Sequence, residues 1–214
     1  MLFTKKTLLL ASALTATVSA ATFPSGPNGD DPMAGYTIID LEWTVKPFPD
    51  RDETVNVTGP IEKVISEMSK INPNFESQVL ATASSNIAAL EAAAAANTTV
   101  TKRVSYQSHF CFGRWPTCSA QAIYTGVMYL NGVPGQPSMG PGPGVCGRVS
   151  CSHDSGIYWC NDHTTSYTLP SFVPIGEGAY AIMSWCDYKG WTSGQFFTQQ
   201  NWNVVVRGDN WGGC

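Results

Sequence analysis

The residues of this 214-residue chain with the most chemistry to offer are its seven cysteines, Cys111, Cys118, Cys146, Cys151, Cys160, Cys186 and Cys214. All lie after residue 110. An odd set of this size implies up to three disulfides with one thiol left over, and spacing alone does not choose among the many possible connectivities. Each bridge would stabilise the fold by about 2–4 kcal/mol. The leftover thiol has no cysteine to meet in residues 21–103. Acid–base chemistry has candidate pieces in His109, Glu177 and Arg114. A histidine–carboxylate pair would serve as general acid and base, and an arginine would meet developing negative charge, as a secreted ribonuclease or other hydrolase requires. His153 and Asp154 read as turn residues, and His163 falls in a polar stretch. There is no Gly-x-Ser-x-Gly elbow and no His-Glu-x-x-His helix, so no metal or cofactor is expected. Trp115, Trp191 and Trp211 stand beside Pro, Gly or Thr in expected loops. There they would stack on sugars or anchor a protein partner, or else plug a small core.

The composition narrows the class of molecule. The chain is 43% hydrophobic and only 13% charged, with a formal net charge of -4. It is too poor in charge for a typical disordered chain, and it lacks the basic face that nucleic-acid binding needs. These averages cover unlike parts. Lys5 and Lys6 precede an apolar and small-residue run at 8–18, and Val18-Ser19-Ala20 fits a cleavage site, so residues 1–20 read as a signal peptide. That run is too short to span a bilayer, and no later one is long enough, so no membrane anchor is expected. Secretion places the cysteines where they pair.

Carboxylates and cysteines divide the remainder. Residues 21–103 hold eleven Asp and Glu, whereas 104–214 hold five, with six of the seven tryptophans. An Ala-rich stretch at 88–96, either helix or linker, leads to Lys102-Arg103. A pair of basic residues in a secretory precursor is what proprotein convertases cut, so residues 21–103 read as an acidic pro-region and 104–214 as the released domain. The sequons Asn56-Val57-Thr58 and Asn97-Thr98-Thr99 both fall in the pro-region and make Asn56 and Asn97 glycosylation candidates. Within it, 39–45 alternates as a half-buried strand. Thr58-Gly59-Pro60 opens a helix, with Ile61, Val64, Ile65 and Met68 on one face and Pro73 beyond its end. One strand and one helix bury too little to stand alone, so they must dock on the domain or stay loose, assisting its folding or masking a surface.

The domain is expected to be α+β. A strand at 103–112 comes first, then a helix at 118–130 capped by Ser119 and stopped by Asn131-Gly132. A Pro/Gly-rich loop at 134–144 follows, without the ending of a phosphate loop. Next come a hairpin of 148–152 with 157–161, a helix at 175–185, and a hairpin of 194–197 with 204–207. Two helices should pack on one face of an antiparallel, disulfide-crosslinked sheet.

The runs Pro141-Gly142-Pro143-Gly144-Val145-Cys146-Gly147-Arg148-Val149-Ser150-Cys151-Ser152, Ile157-Tyr158-Trp159-Cys160-Asn161-Asp162 and Asn201-Trp202-Asn203-Val204-Val205-Val206-Arg207 resemble a widespread family of small cysteine-rich secreted proteins of filamentous fungi. The Leu41-Glu42-Trp43 strand, the Gly59 helix start, Asn72-Pro73-Asn74 and the dibasic pair are similar too. The family's members are treated as candidate effectors. More distantly, the element order resembles the smut-virus killer-toxin fold and fungal necrosis-inducing effector domains. The resemblance implies a toxin-like protein, not an enzyme, acting through its surface on a host or competitor protein or a cell-wall glycan. The pairing of Cys118 and Cys214 does not follow from it.

Overall fold

The computed structural model describes residues 33, 35–95, 104–209 and 214. Along the chain run β1 (Thr37–Asp40), β2 (Glu42–Val45), β3 (Val55–Thr58), α1 (Ile61–Ile71), α2 (Phe75–Ala95) and β4 (Tyr106–Cys111). Then come β5 (Cys118–Ser119), α3 (Ala120–Gly132), β6 (Ser138–Met139), β7 (Val145–Ser152), β8 (Ser155–Asn161) and β9 (Tyr167–Thr168). The chain closes with α4 (Val173–Trp185), β10 (Trp191–Thr192), β11 (Gly194–Thr198) and β12 (Trp202–Gly208). The fold is α+β, as expected. A six-stranded sheet ordered β1-β7-β8-β12-β11-β4 forms its base. Its pairs are antiparallel except at one edge, where β1 lies parallel to β7.

The sheet is covered on both faces, and its central strands read accordingly. In β8, Ile157 and Trp159 enter the main core, while Tyr158 and Cys160 enter a smaller core on the other side. All seven residues of that strand are buried. Helices α3 and α4 cover the main face. α3 buries Ile123, Val127 and Leu130, and α4 buries Ile175, Ala179 and Ile182. Each of the isoleucine, valine and leucine side chains contributes about 1.5–3 kcal/mol when fully buried. Ser119 caps α3 as expected, its Oγ accepting from the Ala122 N–H at 3.4 Å. Asn131-Gly132 does not stop α3, which runs through Gly132 and caps at Val133. Gly132 is there for a different reason: a Cβ at this position would strike the carbonyl of Val79 on α2.

Residues 33–95 are built into the same core. Leu41, Trp43, Val45, Ile61, Val64, Met68, Phe75 and Val79 share one buried cluster with Ile123, Leu130, Trp159 and Val204. The expected strand at 39–45 is two strands broken at Leu41, whose side chain sits where a Cβ of Gly147 would otherwise be. Trp43 stacks on Phe172, ring centroids 4.2 Å apart, and donates its indole N–H to the Gly59 carbonyl at 2.6 Å. Helix α1 ends before Pro73 as expected, but its N-cap is Pro60 and no side chain caps it. The Ala-rich stretch is helical to Ala95, as the second half of α2. Its start at Phe75 had no signal beyond Asn72, whose Oδ1 accepts the Asn74 N–H at 3.0 Å.

Three disulfides join Cys111 to Cys186, Cys146 to Cys160, and Cys151 to Cys214, and Cys118 is left as a buried thiol. The loops they close differ in length. At separations of 75 and 63 residues the outer two restrict the unfolded chain by about 4 kcal/mol each on the chain-entropy account. The hairpin bridge, at 14 residues, gives about 3 kcal/mol.

Candidate binding surface

The acid–base candidates do not converge. His109 pairs with Phe196 across β4 and β11. Its ring packs on Trp185 at 4.6 Å, and its Nδ1 lies 2.8 Å from the Tyr106 hydroxyl. Arg114 belongs to the other face of the sheet. Its guanidinium lies over the rings of Trp115 at 4.7 Å, Tyr36 at 5.8 Å and Phe110 at 5.9 Å. Phe110 follows His109 in β4, so the two side chains point to opposite faces. Glu177 is half-buried near the start of α4. Eight residues, or about 12 Å of helix, separate it from the Trp185 that touches His109. His153 sits in the two-residue turn between β7 and β8 with φ 49° and Asp154 with φ 53°, the positive pair that such hairpins demand. His163 stacks on Tyr167 at 4.4 Å.

The tryptophans part ways. Trp115 is only 6% exposed, in the smaller core, and has no open face. Trp191 is 55% exposed. Trp211 lies outside the described residues, as do Lys102, Arg103 and Asn97. Asn56 is exposed on β3, its Oδ1 accepting from the Thr44 hydroxyl at 3.0 Å.

Around Trp191 the chain forms a stiff aromatic platform. Tyr188 is 63% exposed, and the two residues bracket a tight turn. The Tyr188 N–H donates to the Trp191 carbonyl at 2.8 Å, and the Trp191 N–H returns the bond at 3.1 Å. Lys189 and Gly190 hold φ of 55° and 84°, the doubly left-handed geometry of a type I′ turn. Asp187 Oδ1 accepts the Gly190 N–H at 3.1 Å, and the Gly190 carbonyl accepts from the Ala120 N–H at 2.9 Å. Lys189 Nζ stands 5.3 Å from the Tyr188 ring centre. Tyr188, Trp191, Phe112 and Thr117 line an open depression of about 550 Å³. The Cys111–Cys186 bridge ties the residue before Phe112 to the end of α4. Trp185 and Tyr106 form a second exposed aromatic pair, in edge contact at 5.5 Å. Sequence reasoning singled out Trp191 but missed Tyr188, Trp185 and Tyr106. No local signal in the sequence set these three aromatics apart from the buried ones: Phe110 and Phe112 flank the crosslinked Cys111 and neither is exposed.

A polar cluster, also missed, lies inside the smaller-core face. Asp209 is buried and accepts from Arg148 Nη1 at 3.0 Å and from the Tyr158 hydroxyl at 2.7 Å. Burial and the Asp209 carboxylate push the Tyr158 hydroxyl well above its ordinary range. Burial alone would lower the Arg148 pKa, but the bond to Asp209 keeps it raised. Asp209 also approaches the sulfurs of Cys151 and Cys214. Among the described residues this trio is the one group with metal-ligand geometry. Both its sulfurs are spent in a disulfide, which leaves a single carboxylate, too few ligands for a metal site. No described helix is long and apolar enough to cross a membrane. Comparisons with protein-family models, curated proteins and solved structures return no match.

Proposed function

We propose that the chain is a secreted, toxin-like effector that acts by binding a host or competitor target through the Tyr188–Trp191 platform. The observation that carries this reading is the pair of large aromatics, each more than half exposed, on a turn held by a disulfide and reciprocal backbone bonds. Rigid exposed aromatics lose little entropy on binding and are enriched at the centres of interfaces. Three disulfides agree with an extracellular setting. The signal peptide at 1–20, cutting after Lys102-Arg103 and glycans on Asn56 and Asn97 belong to the same proposal, as does the resemblance to fungal secreted proteins. The hydrolase alternative draws no support from His109, Arg114 and Glu177, which stand apart.

The test compares activities of the purified secreted chain. The expected result is necrosis or immune suppression on infiltration into plant leaf tissue, or growth inhibition of a competing fungus, with no cleavage of RNA. RNA cleavage that is lost in His109→Ala would overturn it. Selective binding on a glycan array, lost in Trp191→Ala, would keep the platform and make the target a cell-wall glycan.

A further inference from the structure

We infer that cutting the chain after Arg103 does not release the N-terminal segment: residues 33–95 stay bound to 104–214, and the mature protein is a non-covalent two-chain molecule. This rests on the processing reading above and departs from the expectation that a pro-region is discarded.

The segment meets the domain in four kinds of contact. First, β1 adds a strand to the sheet edge, with Thr37, Ile38, Ile39 and Asp40 in parallel register with Val145, Cys146, Gly147 and Arg148. Second, Glu62 of α1 bonds two groups of β7. Its Oε1 accepts from the Ser150 hydroxyl at 2.6 Å and its Oε2 from the Cys151 N–H at 2.9 Å. Without the segment, that backbone donor loses its partner. Third, apolar side chains cross the boundary, with Trp43 on Phe172 and Leu41 over Gly147. Fourth, α2 lies along α3. Gly132 receives the Val79 carbonyl, Asn86 Nδ2 donates to the Asn131 carbonyl at 2.7 Å, and the Tyr129 hydroxyl donates to Glu76 at 2.5 Å. At Gly132 of the domain the three nearest atoms to an added Cβ all belong to Val79 of the segment, and at Gly147 the nearest is Leu41 of the segment, with Met139 of the domain also close. The mature surface of the domain is shaped to keep its partner.

No disulfide can hold the two pieces together, because every cysteine follows residue 110. That makes the inference testable without reductant. The full chain is purified from a secretory host, with a site-specific protease sequence inserted after Arg103, and cut. Gel filtration and native mass spectrometry at neutral pH should show one species with the summed mass of both pieces. Urea alone, without reductant, should separate them. Two separately eluting pieces under native conditions would overturn the inference. A second reading uses cut Glu62→Ala and Trp43→Ala chains, in which the dissociation constant between pieces should rise at least tenfold. Unchanged affinity in both would also count against it. The processing reading is scored apart, on the uninserted secreted chain: an intact Arg103–Val104 bond there sinks processing, while the inserted chain still reports on retention.

Discussion

Cys118 shows how burial decides what a residue can do. Its thiol donates to the Thr192 carbonyl at 3.2 Å, and desolvation pushes its pKa up to about 12. The thiolate is the nucleophile, so the native protein should resist iodoacetamide at pH 8 and take up one equivalent once unfolded without reductant. Mass spectrometry reads both. Labelling of the native state, or more than one adduct after unfolding, would contradict the buried single thiol. Glu62 makes the opposite kind of case, a carboxylate in use. Desolvation raises its pKa above the ordinary 4.5, outweighing the Ser150 and Cys151 hydrogen bonds and the Arg148 charge that lower it. A raised folded-state pKa means that the folded chain holds the proton more tightly than the unfolded one. The stability it contributes is therefore complete below the ordinary value and is lost as pH rises through the raised one. Urea midpoints should fall over that window in the wild type and hold level in Glu62→Gln. Parallel profiles would contradict this placement of Glu62.

At the scale of elements, the α2–α3 crossing is the sharpest test of packing. Replacing a helical glycine by alanine gains about 1 kcal/mol from propensity alone. At Gly132 the added methyl meets the Val79 carbonyl, and overpacking of this kind costs about 1–3 kcal/mol. The sign therefore decides: Gly132→Ala should lower the urea midpoint, and a rise would mean that the helices do not touch there. The same crossing shows what the sequence could reveal. The helices at Ala120–Gly132 and Val173–Trp185 and the two hairpins were legible because their apolar spacing and turn residues are local signals. The parallel β1–β7 pair and the seating of α2 were not, since each depends on partners about a hundred or fifty residues away. Asn131-Gly132 misled for that reason: glycine as a stop and glycine as a contact look alike in one dimension. The site was less legible still. Trp115 and Trp191 each sit among small or polar neighbours, yet one fills the smaller core and the other faces solvent. Only the fold separates them.

For the whole molecule, the composition step at residue 104 marks a change in chemistry without a break in the core. The cysteine-free acidic segment supplies a strand, a hairpin and two helices, and the crosslinked part supplies the rest of the sheet. Disulfides stiffen the half that carries the aromatic platform. The proposed function makes this platform, and no catalytic group, the working part of the molecule. The most direct measurement compares the full secreted chain with Tyr188→Ala/Trp191→Ala in leaf infiltration, over a dilution series, after confirming equal urea midpoints. Both side chains are mostly exposed, so stability should change by less than about 0.5 kcal/mol each. At least tenfold more of the double variant should be needed for the same response. An equally active, equally stable double variant would contradict it.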